Sequence, residues 1–431
     1  MNHSADPSRR NFLKSSAATA AVVGMPLVMR AQQAQQKSFK VALIGCGGRG
    51  NGALENHMEA VKYLNDKLNL GISCQLAATA DWFRNKALDT GRRYGIPDAN
   101  CFGGADCYKK AIAAGPDIVL MAQPPVFKPL HLEAAIKAGK HVFFEKPVAV
   151  DPPGVRKVIA AGELAKQKGL SIVAGTQRRH DRGYVQRYRE IMSGAFGRIV
   201  GGRVAWLQGS IFTNTPVKPK GPDQLCGPWQ IWVEMSGDHI VEQHVHNIDV
   251  ANWYLNAHPV SAGGFGYRLK RVAGNMYDFF SIDFEYPDNI HIHSMCRQMD
   301  NCWGWVGEDF TFEKRRPNNF KVDFPDPYET VGYHATDAYI GEHVHLLYAI
   351  VTGRPINEAQ NVAWSTGAAI LGREAAYSGY RIKWVDMFDD PKAKPEWYNL
   401  QLRPSAEDFE RGTPVLPKDG DIRAAGNPRL G

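Results

Sequence analysis

Nowhere in the 431 residues does an uninterrupted apolar run reach the ~18 residues a membrane-crossing helix needs. None of the seven cysteines belongs to a C-x-x-C pair, and their number is odd. That argues against a zinc site or a disulfide framework, so no metal is expected and the thiols are read as free and buried. There is no stripe of lysine and arginine with interleaved aromatics, which argues against nucleic acid as a partner. Internal repeats are also missing. The net charge of +7 is less basic than it looks: the first 34 residues carry four basic residues against one acidic, +3 of the total, leaving about +4 for the body. With 44% hydrophobic residues, the chain has the composition of a packed globular protein of about two domains.

At the start stands Ser8-Arg-Arg-Asn-Phe-Leu-Lys14, followed by the weakly apolar Ala17–Val28. Paired arginines with a Phe-Leu-Lys flank read as a twin-arginine export signal over residues 1–34. The expected destination is the periplasm or cell envelope, with membrane contact only through this segment if it stays uncleaved. Ala31 and Ala34 are the candidate cleavage points. The route carries folded proteins, so a cofactor would be loaded before export and held tightly.

Lys40-Val-Ala-Leu-Ile-Gly-Cys-Gly-Gly-Arg-Gly50 is a β-branched run entering a glycine turn, with a helix-compatible segment after it. Gly45, Gly47 and Gly50 fit G-x-G-x-x-G in its strand–turn–helix setting: a tight turn, backbone access to a pyrophosphate, and close helix–strand packing. Phosphates would sit on the free amides around Gly48 and Arg49. Ser73–Ala80 reads as the second strand, ending in Asp81, suited to a ribose. Asp81 lies farther than the usual ~20 residues from the glycines, which requires a longer first helix or an insertion near 63–72. Asp81 favours NAD, while Arg84 and Lys86 leave NADP as the alternative.

Helices at Ala105–Ala114, Leu130–Ala138 and Pro153–Lys168 then alternate with apolar strands at Asp117–Ala122, His141–Glu145 and Ser171–Thr176. Such alternation means a doubly wound parallel sheet covered on both faces, an α/β fold with ligands at the strands' carboxyl ends. From Ile199 the period becomes two, in segments at Val200–Leu207, Val260–Tyr267, Tyr277–Tyr286, Asn289–Cys296 and Asp309–Glu313. These are read as antiparallel strands. A loop at Thr213–Pro228, a helix from about Gly237 to Leu255 and helices near Asp337–Thr352 and Asn361–Ser378 lie among and after them, and Phe388–Gly431 reads as a surface tail.

With those elements in place, the chain resembles the Gfo/Idh/MocA oxidoreductases, the group of glucose–fructose oxidoreductase and inositol dehydrogenase. The resemblance rests on Gly45-Cys-Gly-Gly-Arg-Gly50, Pro124-Pro125 with His131, Ala138-Gly-Lys-His-Val-Phe-Phe-Glu-Lys-Pro147, Gln177-Arg-Arg179 with Tyr184, Val245-His-Asn-Ile-Asp249 and Ile370–Tyr377. It implies a Rossmann domain over 38–176, an α+β domain with an open, mainly antiparallel sheet over 177–385, and a tail over 386–431. It also implies a homo-oligomer and a carbohydrate substrate. Gly45, Gly47, Gly48, Arg49, Gly50, Asp81, Gln123, Pro124, His131, Glu145 and Lys146 form the expected cofactor set. Arg178, Arg179, Tyr184, Glu242 and His246 are expected at the substrate.

In the family the lysine matching Lys146 contacts the substrate hydroxyl and the cofactor. His246 matches the family histidine; Glu242 stands where an aspartate is typical and His244 where glycine is common. Four residues make about one helical turn, so Glu242 and His246 share a face of a continuous helix. Two readings follow. His246 acts as general base, titrating near working pH, with Glu242 orienting it; or a break in the helix lets Glu242, His244 and His246 gather a metal. The functional expectation is hydride transfer between a sugar or polyol and tightly bound NAD. The alternatives are an NAD-dependent glycosidase or lyase working by transient ring oxidation, and a non-catalytic sugar binder.

Overall fold

The computed structural model describes residues 37–423 apart from 212–218, 316–319, 321, 323–330 and 332–336. The twin-arginine segment and residues 213–218 of the expected Thr213–Pro228 loop lie outside the described residues.

Six strands form the first sheet: β1 Lys37–Ile44, β2 Ile72–Asp81, β3 Cys101–Gly103, β4 Ile118–Met121, β5 His141–Phe144 and β6 Ile172–Ala174. Their order is β3-β2-β1-β4-β5-β6, and every pairing is parallel. Val41–Ile44, Ile118–Met121 and Val142–Phe144 are almost fully buried, as strands covered on both faces must be. The order reverses between β1 and β4, which opens a crevice beyond their carboxyl ends.

Helices α1 Gly48–Leu68, α2 Arg84–Arg93, α3 Cys107–Ala113, α4 Lys128–Lys137 and α5 Pro152–Gln167 link these strands. At 21 residues, α1 accounts for the long spacing between the glycines and Asp81. A further helix, α6, spans Arg182–Met192.

The second sheet contains β7 Ile199–Gln208, β8 Ser261–Tyr267, β9 Phe279–Tyr286, β10 Ile290–Gln298, β11 Trp305–Phe312 and β12 Ile382–Lys383. Its order is β11-β7-β10-β9-β8-β12. It is mixed, because β7 and β10 pair in parallel while the other neighbours are antiparallel. The sheet is thus mainly antiparallel, as expected; period-two alternation identifies a strand with one buried face but carries no information on direction, so it does not single out the parallel β7–β10 pair.

Around the sheets lie α7 Val245–Leu255, α8 Ala338–Thr352 and α9 Ala359–Ser378. α9 packs on β8 and β9, closely enough that a Cβ on Gly372 would meet the Phe284 ring at 2.8 Å. α8 packs instead against α1 of the first sheet. The tail holds two single helical turns, Pro395–Tyr398 and Ala406–Glu410, whose Trp397 and Phe409 are buried. It is anchored rather than merely wrapped. All seven cysteines are free; five are buried, Cys74 is half-buried and Cys302 is exposed, against the expectation of buried thiols throughout.

Candidate active site

Gly45 takes φ +93, and a Cβ there would lie 2.4 Å from the Gln123 amide nitrogen, so only glycine lets β1 turn this close to β4. A Cβ on Gly50 would lie 1.7 Å from the Gly45 carbonyl oxygen. Gly47 and Gly48, by contrast, face open space. They begin α1, whose first turn has no acidic residue and no side-chain cap, leaving its amides free for an anion. Asp81 is pinned above this turn: it accepts the Cys46 amide at 2.8 Å and the Phe83 amide at 2.9 Å.

A cleft opens here, lined by Gly45, Gly47, Asp81, Gln123, Pro124 and His131 among others. Gln123 Nε2 is 3.0 Å from His131 Nδ1, while Gln123 Oε1 is buried without a hydrogen-bond partner. His131 stacks on Tyr108 with ring centroids 3.8 Å apart, and burial pushes its imidazole down to about 3, keeping it neutral. Arg84 donates to the Cys101 and Asp98 carbonyls, whereas Lys86 lines the cleft. Open glycines, uncapped amides and an orphan buried amide oxygen are features a dinucleotide satisfies.

A second cleft shares Ala122, Gln123 and Trp229 with the first, and Arg49, Glu145, Lys146, Glu242, His246 and Tyr339 also line it. Arg49 Nε pairs with Glu145 Oε1 at 3.0 Å, and its guanidinium lies over the Tyr339 ring at 4.9 Å.

The expected helix from Gly237 to Leu255 is interrupted: a single turn, His239–Glu242, precedes α7. Gln243 sits at φ −117 and ψ −53, and the next amide reaches back from His244 to the His239 carbonyl at 3.1 Å. The break frees the Glu242 carbonyl, which accepts Lys146 Nζ at 2.7 Å; the Glu242 carboxylate is 3.8 Å from the same ammonium. Amphipathic periodicity cannot reveal this break, because the apolar pattern runs on through it. The break does not gather a metal set. His244 is buried with Nε2 2.7 Å from Ser294 Oγ, and among the described residues no cluster of three or more such side chains could hold a metal.

His246 is buried and stacks on Trp206 with centroids 5.7 Å apart. Burial first, then the positive charges of Lys146 and Arg178, hold its imidazole well below the ordinary range. It stands neutral in the cleft rather than titrating near neutrality, which corrects the expectation from its free value.

Arg178, Arg179 and Tyr184 do not join this lining. Arg178 pairs with Glu308, which also accepts Tyr184 Oη at 3.2 Å and Asn247 Nδ2 at 2.6 Å. Arg179 grips Asp249 with two hydrogen bonds of 2.9 Å. Tyr184 lines a separate groove with Glu308 and Phe310.

Sequence reasoning missed Lys128 and Tyr339 as lining residues, whereas Gln177, from the Gln177-Arg-Arg179 motif, does line this cleft. Nothing local marks Lys128 or Tyr339; they reach the cleft through tertiary packing alone. Glu342 was missed too. It is fully buried on α8, both carboxylate oxygens lack a hydrogen-bond partner, and burial first, then the nearby Glu145 charge, raise it well above the carboxylate range.

Residues 39–176 match the model of the Gfo/Idh/MocA oxidoreductase family, NAD-binding Rossmann fold, and residues 6–26 match the twin-arginine translocation signal. This stretch is thus a Rossmann domain of that family, and the chain carries a twin-arginine signal. Over 208 residues the chain is 26% identical to scyllo-inositol 2-dehydrogenase (NAD(+)) of Bacillus subtilis, covering 47% of this chain and 53% of that one. Over 169 residues it is 31% identical to inositol 2-dehydrogenase of Agrobacterium fabrum, covering 38% and 42%. The chain spans about half the length of the curated relatives it matches. Among solved structures, levoglucosan dehydrogenase in complex with NADH and levoglucosan aligns with TM-score 0.61 at 16% identity, over 80% of this chain and 99% of that one. Scyllo-inositol dehydrogenase from Lactobacillus casei aligns with TM-score 0.59 at 17% identity, over 81% and 100%. At those identities the likeness is one of fold.

Proposed function

We propose that the chain is an exported oxidoreductase that moves a hydride between a hydroxyl-bearing carbon of a sugar or polyol and NAD held in the first cleft. The observation that carries this reading is the meeting of Lys146, Glu242 and His246 in a cleft that shares Ala122, Gln123 and Trp229 with the glycine-turn cleft. The relatives, inositol and levoglucosan dehydrogenases, support a polyhydroxylated substrate.

Gly47, Gly48 and Arg49 would hold the pyrophosphate on the α1 amides, and Asp81 the ribose. Bound NAD supplies the hydride acceptor. The rest of the chemistry belongs to side chains. The Lys146 ammonium, steered by the Glu242 carbonyl and carboxylate, orients the reacting hydroxyl by hydrogen bonding. His246, neutral and buried, takes the hydroxyl proton as the carbon gives up its hydride. Trp206 holds the imidazole from one face. The working compartment is the periplasm, reached by the twin-arginine route.

The test is to purify the mature protein, extract and identify any bound nucleotide, and follow scyllo-inositol, simple sugars and aryl glycosides by NMR. Ketone formation with matching cofactor reduction is expected. Release of aglycone without net reduction would replace this reading with glycoside cleavage, and failure to bind any dinucleotide would end both.

A further inference from the structure

Lys128 opens α4 and is only 2% exposed, yet it belongs to the wall of the Lys146–His246 cleft. A lysine ammonium has three N–H donors. Two are spent on main chain: Nζ donates to the Pro147 carbonyl at 2.9 Å and to the Lys146 carbonyl at 3.3 Å. The third has no acceptor among the described residues. Burying an ammonium with an idle donor is costly unless a partner completes it.

Resting on the function proposed above, we infer that Lys128 is a substrate- or cofactor-binding donor. Two of its N–H groups fix the turn that carries Lys146, and the third meets an uncharged acceptor oxygen, hydroxyl or carboxamide, of the molecule bound beside Lys146.

A neutral amine still has two N–H groups, so the main-chain anchors survive deprotonation and only the third position changes, from donor to acceptor. Burial lowers Lys128 to about 7; the Glu145 and Glu242 carboxylates favour its charged form, and the Lys146 ammonium opposes it. Arg49 is paired with Glu145, and His246 across the cleft is neutral. The donor is therefore present at pH 6 and absent at pH 9.

One experiment reads this without turnover. The exported, mature protein is labelled biosynthetically with [ε-¹³C]lysine, and its spectra are recorded from pH 5 to 11, alone, with NADH, and with scyllo-inositol added. The signal missing from Lys128→Met is expected to titrate near 7 and to shift when one of the two probes is added. The probe that moves it identifies the source of the acceptor oxygen. In parallel, at pH 6, Lys128→Met is expected to weaken that probe's binding about tenfold with kcat changed less, and wild type and variant converge at pH 9. Lys128→Arg, which keeps a donor at both pH values, should recover part of the loss at pH 6 and bind that probe more tightly than wild type at pH 9. A Lys128 signal that titrates with the surface lysines and ignores both probes overturns the inference, as does unchanged affinity in a folded Lys128→Met at pH 6. Wild-type protein that binds no dinucleotide overturns instead the functional reading beneath it.

Discussion

At the scale of single residues, the two lysines of the second cleft divide the work. Lys146 stands on a turn between β5 and α5 with its ammonium held by the Glu242 carbonyl, while Lys128 holds that turn from below. Neither Lys146 nor His246 lines the glycine-turn cleft. Lys146→Ala and His246→Ala should therefore leave NAD affinity within about threefold by calorimetry while lowering kcat by 10²–10⁴. Because His246 is held well below the ordinary imidazole range, activity should show no loss as pH falls through about 6.5. A limb there that disappears in His246→Gln would contradict the buried, neutral imidazole. The pairing of Glu145-Lys146-Pro147 with a glycine turn was legible in the sequence because each is a short local signal at a strand end. Lys128 was not, since an isolated lysine before Pro129 has no pattern that distinguishes a cleft from a surface.

Elements tell a similar story. Five of the six parallel strands followed from apolar runs and helical spacers, while the three-residue β3 and the spatial order of the strands did not. The break between His239–Glu242 and α7 and the parallel β7–β10 pair did not, because both depend on partners distant in sequence. α8 is the sharpest case. Its stretch Glu342-His343-Val344-His345 looks polar, yet it is buried where α8 meets the first sheet, with His343 Nδ1 3.3 Å from His57 Nδ1 of α1. Glu342 there is protonated in the fold. Below the usual carboxylate range both folded and unfolded chains hold that proton; as pH rises past it, the unfolded chain releases its proton and the folded one does not. Stability falls with rising pH over that window. Glu342→Gln removes the penalty and should raise the melting temperature by a few degrees at pH 8 while changing little at pH 4, as scanning calorimetry would show. An equal shift at both values would mean the carboxyl is ionised in the fold.

On the scale of the whole molecule, a small apolar cluster closes over the first cleft from three distant parts of the chain. Val126 and Phe127 follow β4, Leu225, Cys226 and Trp232 belong to the connection after β7, and Phe409 comes from the tail. Phe409 meets Trp82 and Phe127 edge-on, with centroids 5.4 and 5.0 Å away. Glu410 accepts Tyr108 Oη at 2.7 Å and pairs with Lys109 at 2.9 Å. Trp82 Nε1 donates to Asp223 at 2.7 Å. Phe409→Ala should loosen this cover, speeding NADH release about tenfold by stopped-flow fluorescence and leaving less nucleotide on the purified protein. Phe409→Leu, which keeps apolar bulk, should do less. Unchanged release from a folded Phe409→Ala would show that the cluster is structural only.

This cover also sets an order of events during synthesis. The twin-arginine segment precedes, and Phe409 and Glu410 follow, every residue that lines either cleft. A ribosome-bound chain thus shows its address long before its nucleotide site can close.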